Sequence, residues 1–210
     1  MRRSVIFLFA SVIILGSAGI AGAALITYDY NNLISGDLTP RDSPFITATF
    51  DDKDVPGAVE MKLEAINLLN HEIVQYVYFN VDPDLVKSGL NISYLDGVRA
   101  QGAEIGSFLT SNGAVYNLRL EFKTSNQNRL FGADSISTYL FEADSLAAES
   151  FNILNEKNEF YASVATIIGS RAEVGAKDNL PLPESATMFL LGFGLIMVAG
   201  FGRNKIIKKK

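Results

Sequence analysis

The chain of 210 residues contains no cysteine, no tryptophan and a single histidine, His71. The lack of cysteine excludes disulfide bonds, cysteine-ligated metals, a cysteine nucleophile and lipid attachment at an N-terminal cysteine. A single histidine excludes metal centres built on paired histidines, and no Gly-x-Ser-x-Gly element accompanies it to support a Ser-His-Asp hydrolase. Glycine-rich phosphate-binding loops are also missing. These gaps argue against most classes of enzyme, and no cofactor is expected.

Positive charge is scarce between the two ends of the chain. Residues 24–183 contain 11 Lys and Arg against 22 Asp and Glu, which is a net charge of −11. No basic stripe interrupts this excess of acid, so nucleic acid is not an expected partner. An acidic domain of this kind is expected to stay soluble and to repel anionic surfaces.

The N-terminus has the three parts of a secretory signal peptide. Two arginines near the start precede an apolar run from Val5 to Leu15, and small residues follow. Within them, Ala21 and Ala23 satisfy the small-x-small rule and are the expected recognition residues for signal peptidase. We therefore predict that residues 1–23 are removed before Ala24 during export. A retained membrane helix is the alternative.

The C-terminus carries a second apolar segment, followed by a basic tail. Residues 185–202 contain no charged side chain and, as a helix, would span about 27 Å, which predicts one transmembrane helix. A buried helix of the soluble domain is the alternative. Five cations and no acid follow the segment, and this predicts a cytoplasmic tail at 203–210 with the domain on the outside: Arg203, Lys205, Lys208, Lys209 and Lys210.

A short motif stands directly before the predicted helix. The stretch Pro181-Leu182-Pro183-Glu184-Ser185-Ala186-Thr187-Met188, with the apolar run and the basic end, resembles the PEP-CTERM sorting signal. Pro183 and Glu184 match the Pro-Glu-Pro core, and Ser185 occupies the place of the second proline. The resemblance implies recognition by an exosortase, a membrane transpeptidase that cuts near the motif. A cell-wall sortase signal is the alternative, although Ser-Ala stands where that signal has Thr-Gly.

The middle of the chain alternates apolar and polar residues with a period of two. Val59–Ala65 and Tyr116–Lys123 are the clearest examples, and each predicts a strand with one face in the core. Six more strands are predicted at Leu25–Tyr30, Phe45–Phe50, Ile73–Phe79, Asn91–Leu95, Ser135–Phe141 and Phe160–Ile168.

Helical patterns are few, and turn residues separate the predicted strands. Only Ser145–Leu154 and Asp84–Lys87 are predicted to be helical. We therefore predict an all-β domain over residues 24–171, an antiparallel β-sandwich of jelly-roll type. Residues 172–182 lack a period and are predicted to be a linker to the sorting signal at 183–210.

The densest acidic cluster follows the second predicted strand. Asp51, Asp52 and Asp54 offer three carboxylates, the hard oxygen ligands that Ca²⁺ prefers. Lys53 interrupts them and no Asp-x-Asp-x-Asp-Gly loop is present, so a solvated turn is the alternative. Glycoside hydrolysis would need two acids at a defined separation in a cleft.

Together these patterns predict a non-catalytic exported protein. We expect it to be anchored in the inner membrane through its C-terminal helix and then passed to the cell surface or medium by an exosortase. The family resemblance implies an association with exopolysaccharide and biofilm. A carbohydrate-binding module on the same jelly-roll scaffold is the alternative function, and a hydrolase is the second alternative. The expected partners are signal peptidase, exosortase, the inner membrane and exopolysaccharide.

Overall fold

The computed structural model describes residues 24–39, 41–53, 55–111, 113–125, 130–155 and 163–176. Those ranges contain one short α-helix, α1 (Pro83–Ser88), and one 3-10 helix, Ala148–Phe151. They also contain ten strands: β1 (Leu25–Ser35), β2 (Ile46–Asp51), β3 (Ala58–Ala65), β4 (Ile73–Phe79), β5 (Asn91–Gly97), β6 (Gly102–Leu109), β7 (Val115–Glu121), β8 (Ile136–Glu142), β9 (Ser163–Ile168) and β10 (Ala172–Ala176).

The ten strands form one antiparallel sheet in the order β5-β8-β3-β2-β1-β10-β9-β4-β7-β6. The strands at the two ends of this order, β5 and β6, follow each other in the chain and are joined by residues 98–101. The sheet therefore curls until its two edges lie side by side, and it is nearly closed. The prediction of an all-β, antiparallel domain with very little helix is confirmed.

Alternation of side chains explains why the strands curl around a single main core. In β3 the apolar positions Val59, Met61, Leu63 and Ala65 are buried, while the residues between them are half-buried. Residues two apart in a strand share one face, so this pattern turns the apolar face inward. The buried faces of the neighbouring strands complete the main core.

Aromatic rings fill the middle of that core. The ring of Phe50, on β2, lies 5.9 Å from that of Tyr28, 5.3 Å from that of Phe79 and 4.3 Å from that of Phe151. Phe151 belongs to the 3-10 helix and also packs edge-on against Phe141 at 5.1 Å. Aromatic pairs in these geometries add about 0.5–1.5 kcal/mol each beyond the burial of their area. The 3-10 helix therefore contributes the Phe151 side chain to the middle of the core.

The structure differs from the sequence predictions in three segments. Residues 172–176, predicted to begin the linker, form β10, and the domain extends to Ala176 at least. All five residues of β10 are buried, so the strand has no polar face to create alternation. β6 was not predicted, because it is an exposed edge strand without alternation. Ser145–Leu154 contains only the four-residue 3-10 helix. Residues 177–182 lie outside the described ranges.

Candidate functional site

The predicted calcium ligands are only partly described. Asp51 Oδ1 accepts a hydrogen bond from the backbone N–H of Lys53 at 2.8 Å, and Asp52 Oδ1 accepts one from the N–H of Ala24 at 3.0 Å. Both carboxylates thus bind backbone N–H groups, Asp51 within its own turn and Asp52 at the start of the described chain, while Asp54 lies outside the described residues. Among the residues that the structure describes, no group of three acidic or histidine side chains is arranged to hold a metal ion. Calcium binding at this turn stays a prediction.

The predicted export and sorting residues lie outside the described ranges. This applies to Ala21 and Ala23, to the motif residues Pro183, Glu184 and Ser185, to the apolar segment 185–202 and to the five cations of the tail. Within the described residues, no helix has the length and apolar character that crossing a bilayer requires.

His71 lies in the turn between β3 and β4, where it is exposed. The neighbouring residue Glu72 is instead buried, with 1% of its side chain exposed, and its Oε2 lies 2.6 Å from Nη2 of Arg41. The same oxygen accepts a hydrogen bond from the N–H of Leu69 at 2.8 Å. The polar group that matters for the structure of this turn is therefore the carboxylate, which sequence reasoning did not single out.

A groove crosses the outer face of the sheet over β4, β9 and β10. Val77 and Phe79 of β4 point into the main core, whereas Tyr76 and Tyr78 line the groove. Its volume is about 410 Å³, within the range of small-molecule sites. We call it the outer groove, and its principal lining residues are Tyr76, Tyr78, Ser111, Thr166, Arg171 and Glu173.

The side chains of the outer groove are held in place by their neighbours. The guanidinium of Arg119 lies 5.1 Å from the ring centre of Tyr76 and forms an ion pair of 2.6 Å with Glu104. Glu173 is buried and accepts a hydrogen bond from Ser111 Oγ. Burial raises the pKa of the Tyr78 phenol above its ordinary value. An aromatic wall framed by hydroxyls, a carboxylate and a guanidinium can bind a polar ring such as a sugar.

A second cavity lies where the edges of β5 and β6 approach each other. We call it the seam cleft. Its volume is about 390 Å³. Its principal lining residues are Ile92, Tyr94, Arg99, Gln101, Lys123 and Tyr139.

Two tyrosines give the seam cleft its shape. The Tyr94 and Tyr139 rings meet edge to face with their centres 5.9 Å apart, and the guanidinium of Arg99 lies 5.3 Å from the Tyr94 ring centre. The hydroxyl of Tyr139 accepts a hydrogen bond of 2.6 Å from the N–H of Ala100. This bond ties the loop between β5 and β6 to β8. Burial raises the pKa of the Tyr139 phenol.

Fold and cavities together define an all-β antiparallel domain with surface cavities of small-molecule size, among them the outer groove and the seam cleft. No protein-family model, no curated protein and no solved structure matches the chain. The function therefore has to be inferred from the residues of the cavities and from the signals at the two ends.

Proposed function

We propose that the protein is a non-catalytic surface protein that is exported, held in the inner membrane by residues 185–202 and then processed by an exosortase. The observation that carries this proposal is the order of signals along the chain. A small-x-small site at Ala21 and Ala23 precedes the domain, and Pro183 and Glu184 precede an uncharged run with five cations after it. Once processed, the protein resides at the cell surface or in the medium and associates with exopolysaccharide.

The jelly roll is the fold that we propose for this domain. A jelly roll is a long antiparallel ribbon of eight strands that is wrapped into two Greek keys. Strand pairing supports this assignment for β2–β9, because β3 pairs with β8 and β4 with β7, as in a ribbon. The cross-pairs β5–β8 and β4–β9 are those that wrapping such a ribbon creates. In this description β1 and β10 are an extra pair between β2 and β9.

The test of export and sorting is the intact mass of the protein from its native host, measured by cell fraction. We expect a species that begins at Ala24 and ends near Pro183 or Glu184, found outside the inner membrane. Glu184→Ala should leave the protein full-length in the membrane, whereas Glu149→Ala, at an exposed position of the domain, should be processed normally. A wild-type species ending at Lys210 and confined to membranes would contradict sorting.

Carbohydrate binding is the second function that we propose, and the outer groove is the observation that favours it. Half-buried Tyr76 offers aromatic surface beside the polar groups of Thr166 and Arg171, and the buried side chains of Tyr78 and Glu173 complete the lining of the groove. Glu173 is the one carboxylate among the described residues that line the groove, and glycoside hydrolysis normally needs two. This composition favours binding over hydrolysis at the groove.

Glycan binding can be tested with the full-length chain in a polyoxyethylene detergent, which carries no sugar headgroup. We expect binding to a neutral polysaccharide, weakened about tenfold or more by Tyr76→Ala because the aromatic wall is lost. Leu95→Ala removes exposed apolar surface from β5, away from the groove, and should leave the affinity unchanged. Equal affinity of the Tyr76 variant and the wild type would rule out the groove as the site.

A further inference from the structure

Most cations of the described domain are neutralised by a neighbouring acid. Of the eight Lys and Arg residues within the described ranges, five form ion pairs. Arg99, Lys123 and Arg171 form none with a described residue. In a domain with twice as many acids as bases, a cation without an acidic partner is unexpected. Two of these three cations, Arg99 and Lys123, line the seam cleft.

Arg99 is oriented by the seam cleft, and Lys123 lies across the gap from it. Arg99 is exposed, but its guanidinium packs over the ring of Tyr94 at 5.3 Å, which limits its directions. The phenol of Tyr94 in turn donates a hydrogen bond of 2.7 Å to the carbonyl oxygen of Gly97. Lys123 is half-buried and follows β7, on the opposite side of the gap from β5. The loop between β5 and β6 and the segment after β7 thus each contribute one positive charge.

Glu121, whose carboxylate reaches the cleft residue Gln101, forms no ion pair with either of these cations. Glu121 belongs to β7, and its Oε1 accepts a hydrogen bond of 2.6 Å from Nε2 of Gln101. Its Oε2 lies 3.9 Å from Nη2 of Arg119, which is on the outer-groove side of the strand. Glu121 is therefore engaged by other partners, and the positive charge of the cleft remains available to a ligand.

We propose that the seam cleft binds an acidic sugar through its carboxylate, with Arg99 and Lys123 as the anion-binding residues. Arg presents a planar fork that matches a carboxylate, and Lys adds a mobile point charge. The volume of about 390 Å³ exceeds the needs of a bare carboxylate. Ile92 and Tyr94, which are both half-buried, provide apolar surface for the C–H face of a sugar. The inference rests on the proposed function only for the source of the sugar, an extracellular polysaccharide.

The net negative charge of the domain favours ligands with a single carboxylate over polyanions. A net charge of −11 over residues 24–183 repels a polyanion as a whole. A ligand with one accessible carboxylate, such as a uronate residue at a chain end, meets attraction at the cleft and little repulsion elsewhere, because salt screens distant charges. The seam cleft is therefore suited to local recognition and not to coating by a polyanionic chain.

The test compares D-glucuronate with D-glucose, which differ only in a carboxylate in place of a hydroxymethyl group. Ligand-observed NMR with the full-length chain in polyoxyethylene detergent measures both, and acetate serves as a third ligand. We expect glucuronate to bind at least about tenfold more tightly than glucose or acetate, with an affinity that falls as salt is added. Arg99→Gln and Lys123→Gln should each weaken glucuronate binding about tenfold or more.

A matched control is Lys87→Gln, which removes the same charge from the exposed end of α1, outside the cleft. It should leave glucuronate binding unchanged. Equal binding of glucose and glucuronate, or unchanged affinity in both cleft variants, would overturn the proposal. Acetate binding as tightly as glucuronate would show a general anion site and overturn the sugar assignment. Processing of the C-terminus and neutral-glycan binding are measured separately, so a failure here is distinguishable from a failure of the proposed function.

Discussion

The phenol of Tyr30, on β1, donates a hydrogen bond to Oγ of Ser163, on β9, 133 positions later in the chain. Ser163 Oγ donates in turn to the backbone oxygen of Tyr78, on β4, at 2.6 Å. A serine hydroxyl has one hydrogen, so this second bond settles the direction of the first. Tyr30 and Ser163 are fully buried. A single chain of buried hydrogen bonds therefore connects three strands.

Loss of the middle member of this chain should cost more than loss of its first member. Ser163→Ala leaves the buried Tyr30 phenol without its acceptor, and we expect about 1–3 kcal/mol of destabilisation. Tyr30→Phe removes the donor but keeps the bond from Ser163 to Tyr78, so about 0.5–1.5 kcal/mol is expected. Denaturant unfolding of the full-length chain in detergent measures both. A larger loss in Tyr30→Phe would contradict the assigned direction of donation.

Stability should fall in alkaline solution because of buried phenols. Burial raises the pKa of Tyr30 well above its ordinary value of 10.0. Near and above pH 10 the unfolded chain therefore loses this proton while the folded chain keeps it. The stabilisation is fully present below the unfolded pKa and is lost as pH rises toward the folded pKa. The expected slope is about −1.4 kcal/mol per pH unit for each such phenol.

Unfolding free energies measured from about pH 8 to about pH 11 would check this slope. Tyr30→Phe has no phenol to titrate at this position. The slope of its unfolding free energy against pH should therefore be shallower by the amount that one proton contributes. Burial also raises the pKa of Tyr78 and Tyr139, so some slope should remain in the variant. A variant whose slope equals that of the wild type would show that Tyr30 makes no contribution.

Alanine substitution at two glycines with positive φ separates two contributions to the loss of stability. One is the strain of a left-handed backbone, and the other is a steric clash of the added Cβ. Gly97 ends β5 with a φ of +85°, and a Cβ there would lie 2.1 Å from the carbonyl oxygen of Ile136 on β8. Gly89 follows α1 with a φ of +103°, and a Cβ there would meet nothing within 4 Å. Gly89→Ala should cost about 1–2 kcal/mol. Gly97→Ala should cost more than about 3 kcal/mol because β5 must also move away from β8. Equal melting temperatures for the two variants would contradict the close contact.

The buried ion pair of Arg41 and Glu72 should respond to mutation far more strongly than an exposed pair. Glu72→Gln leaves Arg41, with only 12% of its side chain exposed, without its counter-charge. Removal of one partner of a buried pair costs about 3–5 kcal/mol. Glu64→Gln is the matched control, because its pair with Lys62, 2.8 Å long, lies on the half-exposed face of β3 and should contribute less than about 1 kcal/mol. Unfolding free energies of both variants, measured by chemical denaturation, test this difference, and equal losses would contradict it.

Strands whose side chains alternate between core and solvent were the easiest to predict, and the two strands that were missed do not alternate. β3 and β7 alternate in sequence because one of their faces meets the core, and their predicted bounds agree with the structure to within two residues. β10 is buried on both faces and β6 is largely exposed, so neither shows a period of two. For β6 and β10 the prediction therefore failed because burial does not alternate along the strand.

The cavities could not be predicted because they depend on strand pairing across the chain. Arg99 and Lys123 line one cleft only because the sheet curls and brings its edges together. Tyr76 shares a groove with Glu173 because β9 lies between β4 and β10. Local sequence could single out Asp51 and Asp52, but it could not show that Asp52 accepts a hydrogen bond from the N–H of Ala24, 28 positions earlier.

The position of β10 in the middle of the sheet has a mechanical consequence. This last described strand is hydrogen-bonded to β1 on one side and to β9 on the other. In antiparallel ladders the bonds lie perpendicular to the strands, so a pull along β10 shears both ladders together instead of opening one bond at a time. An edge strand such as β6 would peel from its single partner under the same pull. A chain pulled from its C-terminal side thus first loads a strand that is held by two ladders.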